Sequence, residues 1–321
     1  MQLTPIEWAD YSSNPLKLRL HESGKLVNAC VLKSAGCINC YSQSIVRRFW
    51  RKEWGKFPGY TKALMKLGEW TLDENEIRRM LTFKPKPPFK NGSDRACVFP
   101  FDMTDVFGEW VPFESIDRLF AVFALRPDVD WLLLTKRPER AAEYFDKHAT
   151  RHIWAARASE FSGRKDGALG TCDHSVCNCD YPLPNVWLGT SCEDQQRADE
   201  RIPHLLRCPA AVRVLSVEPL IGPVGLRSGI YSDITNPNGP PRGTTLEGID
   251  WVIAGCESGP SRRPMPLDWA RSLRDQCAAT GVAFFMKQIE FDGKITGDIE
   301  EFPGDLRIRQ MPRVRTPAAA I

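Results

Sequence analysis

From about residue 96 onward the chain repeats one unit: an unbroken apolar run, a polar turn, then a stretch with helical spacing. The apolar runs cover 96–101, 130–134, 185–189, 212–217, 250–254 and 282–286, and helical segments follow over 114–125, 138–148, 193–207 and 268–280. Short runs that are apolar throughout predict strands buried on both faces, as in a parallel sheet covered by helices. Right-handed crossovers then give either an open doubly wound sheet or a closed or partly closed barrel. No G-x-G-x-x-G follows the first run, which argues against a dinucleotide-binding version. Two Gly-, Ser- and Pro-rich stretches, 152–184 and 227–248, break the rhythm and read as surface insertions. Upstream, 4–28 reads as irregular, 41–54 as a helix and 84–90 as a Pro/Lys-rich loop.

With 321 residues, 42% hydrophobic and 26% charged, the chain has the balance of a globular protein, and a single α/β domain spanning 1–321 is expected. A chain of this size buries enough surface to stand without disulfides, so its eleven cysteines need another explanation. No run reaches the length of a membrane span, and the first residues lack the basic-then-apolar order of a signal peptide. A cytoplasmic location with reduced thiols is therefore expected. Net charge is only +3, but Arg47, Arg48, Arg51, Lys52 and Lys56 alternate with Phe49, Trp50, Trp54, Phe57 and Tyr60. That mixture suits phosphates and stacked bases, or else the solvated face of an amphipathic helix; the 84–90 loop is a second place for phosphate contacts.

Cys30, Cys37 and Cys40 have the spacing C-x6-C-x2-C just ahead of the basic-aromatic helix. Three thiolates can hold three corners of an iron–sulfur cube and leave one iron open. Zinc would ask for a fourth protein ligand, and no Cys or His follows in the next fifty residues. Unligated cysteines packed as small hydrophobes are the alternative. A second group, Cys172, His174, Cys177 and Cys179, could close a small metal site, although the C-x-C pair strains a single tetrahedral centre. Cys97, Cys192, Cys208, Cys256 and Cys277 read as core.

Every apolar run ends in polar residues: Asp102, Thr104 and Asp105; Thr135, Lys136 and Arg137; Thr190, Ser191 and Glu193; Ser216 and Glu218; Glu257, Ser258, Arg262 and Arg263; Lys287 and Gln288. In parallel α/β proteins that end binds ligands, so a charged mouth beneath the three cysteines is expected.

In these features the chain resembles the radical SAM superfamily, where three cysteines before the first barrel helix ligate a [4Fe-4S] cluster and the fold is a full or partial parallel (β/α) barrel, here of about six core strands. It departs from the usual C-x3-C-x2-C spacing, and Asn39 stands where an aromatic residue usually precedes the third cysteine. More closely it resembles a phage- and prophage-encoded branch, through Trp8, Asn14-Pro15 and the stretches 36–41, 103–107, 134–140, 183–189, 199–203, 215–220 and 255–259. The stretches around Thr104-Asp105 and Thr135-Lys136 also give it a distant likeness to the spore photoproduct lyase group.

The resemblance implies a cluster on Cys30, Cys37 and Cys40, S-adenosylmethionine (SAM) as cofactor, and a 5′-deoxyadenosyl radical that abstracts hydrogen. It implies SAM-binding roles for Asp102, Thr104, Asp105, Lys136, Ser191, Glu193 and Arg201, and substrate contact for Glu218, Glu257 and Lys287. The implied substrate is a nucleobase in phage DNA. Most specifically the reaction would be isomerisation of a glycyl-modified thymidine during the hypermodification that protects DNA from host nucleases. DNA and an electron donor for the cluster are the implied partners. A nucleic-acid-binding protein with a structural metal, and a radical enzyme on a peptide or small molecule, remain open.

Overall fold

The six apolar runs become six strands that lie side by side in chain order. The computed structural model describes residues 1–53, 57–148, 151–161, 174–226, 246–259 and 261–313, with backbone only at 51–53, 174 and 177. Strands β1 (Gln2–Leu3), β2 (Tyr11–Ser12), β3 (Leu16–Leu20) and β4 (Leu26–Val27) come first. Helices α1 (Tyr41–Glu53) and α2 (Lys62–Met65) lead to β5 (Gly68–Leu72) and α3 (Glu74–Thr82). The repeat then runs β6 (Ala96–Phe99), α4 (Phe113–Leu125), β7 (Val129–Thr135), α5 (Pro138–Lys147), α6 (Arg151–Phe161), α7 (His174–Cys177), β8 (Val186–Ser191) and α8 (Gln195–Arg207). It ends with β9 (Val212–Val217), β10 (Trp251–Gly255), α9 (Leu267–Thr280), β11 (Ala283–Phe291) and β12 (Lys294–Thr296).

The main sheet has nine strands in the order β1-β2-β6-β7-β8-β9-β10-β11-β12, and every pairing from β2 to β11 is parallel. Spatial neighbours among β6–β11 are sequence neighbours, so there is no switch point and the doubly wound alternative does not apply. Alternate strand residues go to different cores. Val98, Leu133, Leu188, Leu215, Val252 and Phe284 join the helices in the outer core. Cys97, Phe99, Leu132, Trp187, Val212, Val214, Trp251, Ile253 and Phe285 form an inner cluster with Trp8 and Ala9, to which no helix contributes. Trp8 lies 5.1 Å from Phe99 on β6 and 6.5 Å from Trp251 on β10, so the inner face curls around it. The sheet stays open: β1 and β12 are its edges, and no closed barrel forms among the described residues.

Two local expectations are corrected. Residues 4–28 are not irregular; β3 buries Leu16, Leu18 and Leu20 and pairs antiparallel with β4 and β5 in a second sheet. The Leu-Lys-Leu-Arg-Leu alternation carried that signal, with the period of a half-buried strand. The stretch from 152 is not wholly a surface insertion either, because α6 buries Trp154, stacked 4.9 Å from Phe120, with Ala155 and Ala158. Gly, Ser and Pro later in the stretch masked its helical spacing; 162–173, and 227–245 of the second insertion, lie outside the described residues.

The 84–90 loop serves the fold. Lys90 Nζ donates to the carbonyls of Thr4, Ile6 and Ala9 at 2.7–2.8 Å, and its N–H donates to Asp10 at 2.7 Å. These bonds hold the segment that carries Trp8, so Lys90 is not a free phosphate ligand. Asn185, just before β8, donates its amide to the carbonyls of Phe123, Arg126 and Val129. These bonds tie the end of α4 and the start of β7 to the start of β8.

Candidate active site: a cysteine loop over the strand ends

The C-terminal ends of β6 to β10 and the middle of β11 open into one cavity of about 230 Å³, lined also by Trp8, Phe99 and Leu134 of the inner cluster. Cys30, Cys37 and Cys40 all line it. So do Asp102, Thr104 and Asp105 after β6, Lys136 after β7 and Ser191 at the end of β8. Glu218 follows β9, Glu257 follows β10, and Lys287 lies within β11.

The loop that carries the cysteines is tied down from several sides. Arg137 donates to the Val31 carbonyl at 3.2 Å, while its Nε pairs with Glu109 at 2.7 Å and its guanidinium lies over Trp110. The Leu32 N–H donates to the Tyr60 carbonyl at 3.0 Å. Glu193 accepts from the Ser34 hydroxyl and from the Gly36 N–H at 3.3 Å. Arg263 donates to the Ala35 carbonyl at 3.0 Å, and Asn39 donates to Glu257 at 2.9 Å. Cys37 ends a single 3-10 turn, Ala35–Cys37. Cys40 directly precedes α1: its carbonyl accepts from the Ser44 N–H, and the backbone N–H groups of Gln43 and Ser42 favour its thiolate. Burial pushes the Cys30 and Cys40 thiols up, with Asp105 adding to the effect at Cys30 and the two N–H groups opposing it at Cys40.

Gly36 has a steric reason to be glycine. A Cβ there would meet Glu193 Oε1 at 3.0 Å and Cδ at 3.1 Å. The loop therefore sits as close to the β8 end as a backbone without a side chain allows.

The family model for a protein of unknown function (DUF5131) matches residues 3–298, a span that includes the cysteine loop and every strand around the cavity. The chain belongs to the DUF5131 family. No curated protein and no solved structure matches it.

In this DUF5131 protein the strand-end residues divide into two groups. Asp102, Thr104, Lys136, Ser191, Glu218 and Lys287 have side chains at the cavity with room for a ligand. Asp102 accepts from Asn14, and burial raises its pKa against that bond. The Thr104 hydroxyl oxygen is buried without a partner among the described residues. Lys287 pairs with Glu218 across the β9 end and the middle of β11, and the Glu218 carboxylate raises the Lys287 pKa although burial works the other way.

The second group is already engaged. Asp105 accepts from Phe107 N–H at 3.1 Å, Thr135 Oγ1 at 2.7 Å, Lys136 N–H at 3.0 Å and Arg137 at 3.2 Å. Four donors saturate a carboxylate, so Asp105 joins the β6 and β7 ends and leaves Asp102 as the better candidate for an incoming ammonium. Glu193 does not face the cavity; it is fully buried, 2.8 Å from Arg201 and 3.8 Å from Lys136. Arg201 also donates to the Ser191 carbonyl at 2.7 Å, so both anchor the loop rather than touch a cofactor. Glu257 lines the cavity, but its carboxylate accepts from Asn39, the Arg263 N–H and the Arg263 guanidinium. Arg262 pairs with Glu290 at 3.0 Å.

Asn14, Tyr41 and Tyr60, which the sequence reading gave no role in the site, and Ser42, which it did not single out, belong to the site. Tyr41 Oη donates to the Asp102 carbonyl at 2.8 Å, and the Ser42 and Tyr60 hydroxyls lie 2.7 Å apart. Of the second cysteine group, Cys172 and the side chains of His174 and Cys177 lie outside the described residues. Cys179 is half-buried with a free thiol. Among the described residues no three His, Cys, Asp or Glu side chains converge as ligands of a single ion.

Proposed function

We propose that this chain is a radical SAM enzyme that carries a [4Fe-4S] cluster on Cys30, Cys37 and Cys40 and modifies a nucleobase in DNA. One arrangement carries the reading: three thiols in one anchored loop, facing a cavity walled by six consecutive parallel strands. The donor set fits the group. A cube takes each thiolate on a different iron, so its ligands surround a shared space and need not meet at one point, as zinc ligands do. With SAM bound, the cluster supplies a 5′-deoxyadenosyl radical able to take hydrogen from an unactivated C–H.

The chain's own residues bind, orient and exclude water. Asp102 and the partnerless Thr104 hydroxyl are the acceptors on the β6 wall for the SAM ammonium. Lys136 is the nearby cation for its carboxylate, and Ser191 offers a hydroxyl to the ribose. The Glu218–Lys287 pair on the far wall presents one acceptor and one donor to a substrate's polar edge. Trp8, Phe99 and Leu134 of the inner cluster line the cavity against water, which would quench a reactive intermediate.

The substrate we propose, a glycyl-modified thymidine whose substituent is moved, rests on the family resemblance, as does the need for an electron donor. Protein purified without oxygen is expected to hold about four iron and four sulfide per chain. It should release 5′-deoxyadenosine when given SAM and a reductant. Nucleoside mass spectrometry of DNA made with and without the protein tests the substrate. Zinc in place of iron would end the proposal and leave a nucleic-acid-binding protein with a structural metal.

A further inference from the structure

The cavity continues outward along α1. Asn39, Tyr41 and Ser258 line both the cavity and an open groove whose other walls include Ile45, Arg47, Arg48 and Phe57. Helix α1 buries one row, Ser42, Val46 and Trp50; the two apolar members pack with Leu18, Tyr60 and Leu64. The next row, Tyr41, Ile45 and Phe49, is spaced four residues apart and is 42%, 37% and 62% exposed, and Ile38 before it is 62% exposed. A continuous row of large apolar groups in water marks a surface built to be covered. Arg47 and Arg48 flank it; among the described residues neither has an ion-pair or hydrogen-bond partner and no carboxylate lines the groove.

We propose that this groove, extended by the exposed Phe49 one turn further along α1, seats a single strand of nucleic acid, with Arg47 and Arg48 on phosphates and Tyr41, Ile45 and Phe49 against neighbouring bases. Two cations without counter-charge among the described residues ask for an anion, and the apolar row asks for flat apolar faces at regular spacing. A single strand offers both on one molecule, whereas a duplex keeps its bases stacked inside. Because groove and cavity share three residues, the same strand can lie in the groove and place one base in the cavity, which an acidic protein docked on this face would not do. The base in the cavity rests on the proposed radical chemistry; seating in the groove requires no cluster.

The test is fluorescence anisotropy of the full chain with a labelled oligothymidylate of about 12 nucleotides, compared with the same sequence as a duplex. Tighter binding of the single strand is expected, weakening as salt is raised. Arg47→Glu combined with Arg48→Glu should lower the affinity at least tenfold, and Phe49→Ala about fivefold. All three positions are exposed, so thermal unfolding should be unchanged and loss of fold will not imitate the effect. Absence of binding, equal affinity for the duplex, an unaltered affinity in the double variant, or an acidic protein that occupies this face in place of the strand would each overturn the proposal. Iron content measured on the same samples separates the two ideas. Protein that binds the strand without iron keeps the groove and loses the enzyme, and protein that loads iron without binding the strand does the reverse.

Discussion

Glu193 reaches back 157 residues to accept the backbone N–H of Gly36 at 3.3 Å. Through that bond the end of β8 holds the middle of the cysteine loop. The same carboxylate faces Arg201 and Lys136, so a buried charge cluster backs this anchor of the loop.

Burial works against ionised Glu193, but Lys136, Arg201 and the Ser34 hydroxyl outweigh it and hold its pKa down at about 2, below the usual 4.5. A carboxyl depressed on folding stabilises the protein fully above its unfolded pKa and loses that contribution as pH falls toward the folded value. A difference of this size is worth roughly 3 kcal/mol. Denaturant unfolding of the wild type should therefore weaken between about pH 4.5 and about pH 2. Glu193→Gln should lose roughly 3 kcal/mol at neutral pH, because Arg201 is left buried without a counter-charge, and should show a flatter acid limb. Identical pH profiles for the two proteins would show that the cluster does not act this way.

Gly36→Ala pushes a methyl group onto the Glu193 carboxyl. Overpacking of this kind costs about 1–3 kcal/mol. The expected outcome is a folded protein with a lowered melting temperature and a faster loss of iron to a chelator. Pairing it with Glu193→Asp, which shortens the opposing side chain, should recover part of the iron retention. A Gly36→Ala protein that holds iron as the wild type does would mean that the contact has slack.

Lys287 and Glu218 should behave as a coupled pair. Removing either charge alone leaves the other half-buried without a partner, at a cost of about 3 kcal/mol, whereas removing both costs less than the sum. Stabilities of Lys287→Met, Glu218→Gln and the double variant close the cycle. Additive losses would separate the two residues.

Four thiols line the cavity, and only three are assigned to the cluster. Cys37→Ser should lower bound iron severely, while Cys256→Ser, at the end of β10, should keep it. Iron analysis with the visible spectrum decides, and equal losses would remove the distinction between loop and strand cysteines.

Much of this was legible along the chain because its causes are local. An apolar run of strand length with polar residues after it marks a parallel strand and its ligand end, and all six runs are strands in the structure. The Cys30–Cys40 spacing likewise marks a loop that can present three sulfurs. What the chain alone could not separate was ligand-facing from scaffolding residues. Asp102 and Asp105 look alike in sequence, yet Asp105 is saturated by donors from Phe107 and from the β7 end. Ser191 ends β8 and Glu193 follows two residues later, yet Glu193 faces inward to Arg201 and Ser191 lines the cavity.

The sequence by itself determined where the six core strands lie and which end of the sheet is polar, since apolar periodicity and turn chemistry act over a few residues. Only the tertiary structure decided which of those polar groups are left for a ligand. A hydrogen-bonding group is free or engaged according to partners that the fold brings from thirty to more than two hundred residues away: Thr135 to Asp105, Gly36 to Glu193, Asn39 to Glu257.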